Sequence, residues 1–198
     1  MQTFRYPHFP PELSTVHVAL FNTVTNSADI RSRIIRASQL QGPDGDTERN
    51  ALNFAFIDAR LICSLLHLQT AIYQAVLAHA QRSLRTKTVH SEILWALNPT
   101  NNASIRRYGV SDTATSLIVV RISSPDLPDV QQLMTSVVSG TLSSLNQLPE
   151  ITDWGTVKKY HKLNDEPALK AAAKNVTQER IVVNEIVTST VAMKSVSS

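Results

Sequence analysis

The sequence predicts an α+β fold: a single domain with one small, mainly antiparallel or mixed sheet covered by helices, and a long C-terminal helix. Three observations point there. The runs Val16 to Phe21 and Ser116 to Ile122 alternate apolar residues or crowd β-branched ones, as strands do. The stretches Ser64 to Leu84 and Pro125 to Gly140 switch to the helical period. Finally, 198 residues with 42% hydrophobic and 18% charged content suit one globular domain. A chain of this size buries roughly 70% of its unfolded surface and needs no metal or disulfide staple.

The domain is read as residues 1–192, opening with an extended arm because Pro7, Pro10 and Pro11 exclude a helix. In the first strand Val16, Val18 and Leu20 alternate with His17 and Ala19, which predicts one buried face. Asn26 then offers an N-cap, with Asp29 three residues on. Ile30, Ile34 and Ile35 recur at helical spacing opposite Arg31, Arg33 and Arg36. Gln41 to Asn50 holds Gly42, Pro43 and Gly45 without periodicity and reads as a mobile surface loop. Phe54 to Ile62 suits a short buried strand turning at Asp58, and the helix after it stripes Leu65, Leu68, Ile72, Val76 and Ala80.

Ser91 to Leu97 reads as a strand stopped by Asn98 and Pro99, and Ala103 to Tyr108 as a short helix closed by Gly109. In Pro125 to Gly140, Val130, Leu133, Met134, Val137 and Val138 make one face, with Pro128 suited to the first turn. Leu142 to Leu148 is a short strand or extended connection, and a short helix lies near Thr152 to Tyr160. Pro167 to about Ala192 reads as one helix, because Val182, Val183, Ile186 and Val187 fall at helical spacing. Residues 193–198 are expected to fray.

Catalytic patterns are scarce. No serine sits in G-x-S-x-G, and the six histidines (His8, His17, His67, His79, His90, His161) lack the i, i+4 spacing that puts two imidazoles on one metal. The lone Cys63, in LICSLL, is either a nucleophile or a small core residue. Asp58 with Arg60 forms part of a site or caps a turn. GTVKK lacks the spacing of a phosphate loop, and the five glycines are scattered. No stretch approaches the roughly 18 apolar residues of a membrane span, and the start has no apolar core of a signal peptide, so a soluble intracellular protein is expected. Nineteen Lys and Arg against sixteen Asp and Glu leave a net charge of +3, which permits a nucleic-acid partner without demanding one. The basic residues gather in three groups: Arg82, Arg85 and Lys87; Arg106 and Arg107; Lys158, Lys159 and Lys162. Each is either a solvated surface or a nucleic-acid contact.

The segments VALFNTVTNSADIRSRI, FAFIDARLICS, LRTKTVHSEILWALNPTNNASIRRYGV, TSLIVVRI and LPEITDWGTVKKYHKL are together similar to the kinase-binding subunit family of the KEOPS complex, also called EKC, in a fungal-like form. The pattern is carried by Arg85, Thr86, Lys87, Thr88, Ser91, Glu92, Pro99, Asn101, Asn102, Tyr108, Gly109 and Val110, and beyond Glu166 only an apolar helix corresponds. The resemblance implies a non-catalytic subunit without cofactor or membrane. Such a subunit binds and regulates the atypical kinase and helps recruit tRNA by its acceptor end for threonylcarbamoyladenosine modification beside the anticodon. It reaches the threonylcarbamoyl-transferase subunit indirectly, works in nucleus and cytoplasm, and has a link to telomere maintenance. On that reading Ile181, Val182, Ile186 and Val187 face the kinase, with core packing the alternative. Arg85, Lys87, Arg106 and Arg107 face tRNA, with Tyr108 a stacking aromatic or a core residue. Two other readings stay open: an interaction module without RNA contact, and a small enzyme using Asp58 and a histidine.

Overall fold

A computed structural model describes residues 1–100 and 107–194. Its centre is β2 (Thr15–Asn22), which pairs antiparallel with β4 (Leu117–Ser123), itself antiparallel to β3 (Ala55–Asp58). Along the other edge of β2, two short antiparallel strands sit end to end. β1 (Gln2–Arg5) lies against Thr15–Val18 and β5 (Thr141–Ser143) against Leu20–Asn22. The sheet is therefore wholly antiparallel, as one of the two expected forms requires. The N-terminal arm is not merely extended. Its prolines follow β1, in the return to β2 that includes a 3-10 turn at Pro11–Leu13, so they interrupt no strand pairing.

The alternation in β2 predicts one buried face, whereas both are buried. Val16, Val18 and Leu20 meet one layer of helices, and Ala19 and Phe21 meet another. The second layer comprises α1 (Ser27–Gln39), α2 (Gly42–Ala51) and α5 (Val130–Val137). Ile30 and Ala37 of α1 are buried, but Ile34 and Ile35 are 37% and 46% exposed. Asn26 precedes α1 without capping it. Its amide instead donates to Val137 O and accepts from Ser139 N, both at 2.9 Å, which ties the start of α1 to the end of α5. Helix α5 begins later than Pro125, because Asp129 at its N-cap is left-handed (φ 51°).

The expected loop at 41–50 is the helix α2. Pro43 sits in its first turn, where a missing N–H costs nothing, and Gly45 is packed so closely that a Cβ there would lie 2.6 Å from Leu40 O. Arg49 reaches back to the Ala37 and Leu40 carbonyls at 2.8 Å, satisfying the C-terminal end of α1.

The first layer is built from α3 (Leu65–Ala80), α4 (Val89–Leu97), α6 (Leu148–Ile151), α7 (Trp154–Tyr160), α8 (Pro167–Ala172) and α9 (Val176–Met193). Three expectations change here. Ser91 to Leu97 is helical, not a strand, because Thr88 and Ser91 close a capping box that starts α4. The expected C-terminal helix is two helices, since Asn175 leaves helical geometry and caps α9 by accepting from Gln178 N. Met193 still belongs to α9 and Lys194 is buried, so these two residues do not fray. The short helix expected at Ala103 to Tyr108 falls mostly outside the described residues, while Gly109 forms an antiparallel bridge with Ile57.

Candidate functional site

Helix α9 has two characters. Val183, Val187 and Val191 recur every fourth residue and are buried, the first two in a small core with Cys63, Val157, Leu163 and Leu169. Of the four residues expected to face a kinase, Val187 is thus interior and has no surface to offer a partner. Val182 and Ile186 are half-buried at the rim of that core, and Ile181 is 45% exposed. Ile186 and Met193, with Glu185, Ser189 and Thr190, line an open hollow of about 450 Å³.

A second feature is the loop ahead of α4. Glu92 is buried, and its carboxylate accepts from Arg85 N (3.0 Å), Thr86 N (2.8 Å) and Thr86 Oγ1 (2.7 Å). Charge-assisted bonds of this kind compensate the desolvation of a buried carboxylate. They also explain the R-T-K-T-x-x-S-E spacing: Thr88 and Ser91 start the helix, and Glu92 folds the preceding loop onto it. The side chains of Arg85 and Lys87 are left exposed.

Beside this loop, Gln74, Leu77, Arg85, Glu92, Trp95 and Lys194 contribute to a cavity of about 180 Å³. Lys194 Nζ donates to the Trp95 and Asn98 carbonyls and lies 3.9 Å from the centre of the Trp95 ring. A cation at the C-terminal carbonyls of α4 is favoured by the helix dipole, and this contact fastens the end of α9 to α4. Burial pushes the amine down to about 8, opposed by Glu92.

The third feature decides between the two readings of Tyr108. Tyr108 is fully buried, so it cannot stack on a base; its hydroxyl is 2.9 Å from His161 Nε2. Burial raises the phenol and lowers His161 to about 4. Arg106 lies outside the described residues. Arg107 is exposed, and its guanidinium sits 5.1 Å from the centre of the Tyr160 ring. Tyr160 was not singled out by sequence reasoning, although the signal was present in V-K-K-Y: an aromatic directly beside a basic pair.

The other chemical candidates have local roles. Asp58 caps the turn after β3 and is paired with Arg60, accepting from its backbone N at 3.1 Å, Nε at 3.0 Å and Nη2 at 2.6 Å. Cys63 is buried and its thiol is pushed up to about 12, far from thiolate reactivity. His67 accepts from Cys63 N and His90 from Ile122 N; burial lowers both imidazoles to about 3. Among the described residues no group of three or more His, Cys, Asp or Glu is placed to hold a metal ion.

A family model described as kinase binding protein CGI-121 matches residues 21–195, from the end of β2 to just past α9. The chain belongs to the CGI-121 family. Among curated relatives, the EKC/KEOPS complex subunit CGI121 of Cryptococcus neoformans is 38% identical, covering 99% of this chain and 100% of its own length. The subunit of the same name from Aspergillus fumigatus is 36% identical over 82% of this chain and 84% of its own length. That from Candida glabrata is 31% identical over 82% and 86%. The family description names binding to a kinase rather than a reaction, and β1 precedes the segment it matches.

Proposed function

We propose that this chain is a non-catalytic subunit of an EKC/KEOPS complex that binds and regulates the complex's atypical kinase. In the same complex it helps recruit tRNA by the acceptor end for threonylcarbamoyladenosine modification beside the anticodon, and meets the threonylcarbamoyl-transferase subunit only through the kinase. It acts in nucleus and cytoplasm, and a role at telomeres would follow from the same assembly. The relatives' names and the family description support membership and the kinase partner.

One structural observation carries the kinase reading: α9 keeps apolar side chains at its surface although its core stripe is already filled. Ile181, Val182, Ile186 and Met193 are exposed or half-buried, while Val183, Val187 and Val191 do the packing. The RNA reading rests on exposed Arg85, Lys87 and Arg107. Calorimetric titration of the full chain with the kinase subunit tests the first reading, and tRNA binding with and without the terminal CCA tests the second. Kinase binding together with CCA-dependent tRNA binding is expected. Kinase binding with no tRNA binding would reduce the chain to a protein-interaction module.

A further inference from the structure

Resting on the tRNA reading above, we propose that Arg107 and Tyr160 form a stacking platform for an unpaired base at the RNA's single-stranded end, with Lys159 and Lys162 beside it contacting phosphates. The guanidinium carbon lies over the Tyr160 ring, 5.1 Å from its centre, and Arg107 is exposed while Tyr160 is half-buried, so a cationic group and an aromatic ring are offered together at the surface. Tyr160 packs part of its ring against the core and is held there. A guanidinium plane layered on an aromatic, flanked by point charges, is the arrangement that holds single-stranded nucleic acid. The planes stack on bases and the charges track the backbone.

The platform is fixed from beneath. Tyr108 and His161 are the chain neighbours of Arg107 and Tyr160, and the buried Tyr108–His161 hydrogen bond at 2.9 Å clamps the two segments together. Tyr108 O also accepts from Asp58 N at 2.8 Å, which ties Arg107's segment to the end of β3. Tyr108 is thus a positioning residue rather than a contact.

Lys159 and Lys162 are exposed and meet no carboxylate at ion-pair distance among the described residues, whereas Lys158 is paired with Glu179 at 2.6 Å. Lys162 follows α7 in the left-handed region (φ 56°), where glycine is the easier residue. Three acids of these segments are occupied: Asp58 with Arg60, Asp153 with Thr156 at the start of α7, and Asp165 with Lys170.

The test uses a tRNA transcript carrying 2-aminopurine at its 3′-terminal position, titrated into the full chain over a salt series. The wild type should quench the fluorophore by stacking. Arg107→Lys, which keeps the charge but loses the plane, should bind about tenfold more weakly with the salt slope unchanged and the quenching lost. Tyr160→Leu should do the same. Lys162→Gly, which suits the backbone, should keep the quenching and lower the salt slope by about 1. Wild-type affinity and quenching in Arg107→Lys would overturn the platform even if Tyr160→Leu failed to fold. Failure of the wild type to bind the transcript would instead overturn the tRNA reading itself, and the platform with it.

Discussion

The two sides of the sheet treat charge differently. On one side, the arginines carried by α1 and α2 are neutralised locally: Arg31 by Asp112 and Arg33 by Glu48, both at 2.8 Å, Arg36 by Glu48 at 3.6 Å, and Arg49 by Asp46 at 2.7 Å. On the side of α4, α7 and α9, Arg60, Lys158 and Lys170 are paired. Yet Arg85, Lys87, Arg107, Lys159 and Lys162 are exposed and, among the described residues, meet no carboxylate at ion-pair distance. A net charge of +3 hides this contrast. What a partner experiences is the distribution, and these five cations on the second side are left to meet one.

The largest effects should separate core from surface within α9. Val187→Glu places an unpaired charge in the small core and should cost about 3–5 kcal/mol, enough to abolish a cooperative thermal melt in a marginally stable domain. Ile181→Glu should leave the melt nearly unchanged and weaken kinase binding by several kcal/mol if it sits at the interface centre. A sharp fall in the melt of the second variant would move Ile181 into the core.

Acid should come next, and it should strike the α3–α4–α7 side. His67, His90 and His161 are lowered by burial to about 3, 3 and 4, so in the folded chain they stay neutral while the unfolded chain protonates them below about 6.5. Stability should therefore be full above that pH. It should fall as pH drops from about 6.5 toward 4, by up to about 1.4 kcal/mol per unit for each histidine. Urea melts at stepped pH measure this, and a flat profile between pH 7 and 5 would contradict it.

Glu92→Gln should cost about 1–3 kcal/mol, because an amide cannot accept all the bonds from Arg85 and Thr86 and leaves a buried donor facing donors. Hydrogen exchange at those backbone amides should accelerate with it. The smallest effect belongs to the paired side. Arg31→Ala breaks an exposed ion pair worth about 0–1 kcal/mol and should leave the salt dependence of tRNA binding untouched. Arg85→Ala should instead flatten it by about 1 unit of slope.

The difference between the two sides was only partly legible in the sequence. Strand β2 and helices α3 and α5 announced themselves by period and β4 by its β-branched residues, because packing on one continuous sheet imposes such patterns. Helix α2 did not, since Gly42, Pro43 and Gly45 read as breakers when two serve a helix start and the third a close approach to α1. Helix α4 was mistaken for a strand because its apolar run is short and its capping box uses Ser91 where Glu or Gln is the usual signal. The basic groups were visible, but not which of their members are paired, since Glu179 reaches Lys158 through the fold. Whether Tyr108 stacks at the surface or packs in the core stayed open because its partner, His161, is remote in sequence, and Lys194 looked like a frayed end because its carbonyl partners belong to α4.

The central claim is that the α4–α7–α9 side receives partners while the α1–α2 side serves the fold, and hydrogen exchange of the full chain with and without the kinase subunit tests it most directly. Slower exchange concentrated in Val176–Met193, with Ser27–Gln39 and Gly42–Ala51 unchanged, is the expected result. Protection centred on α1, around the exposed Ile34 and Ile35, with α9 unaffected, would contradict it.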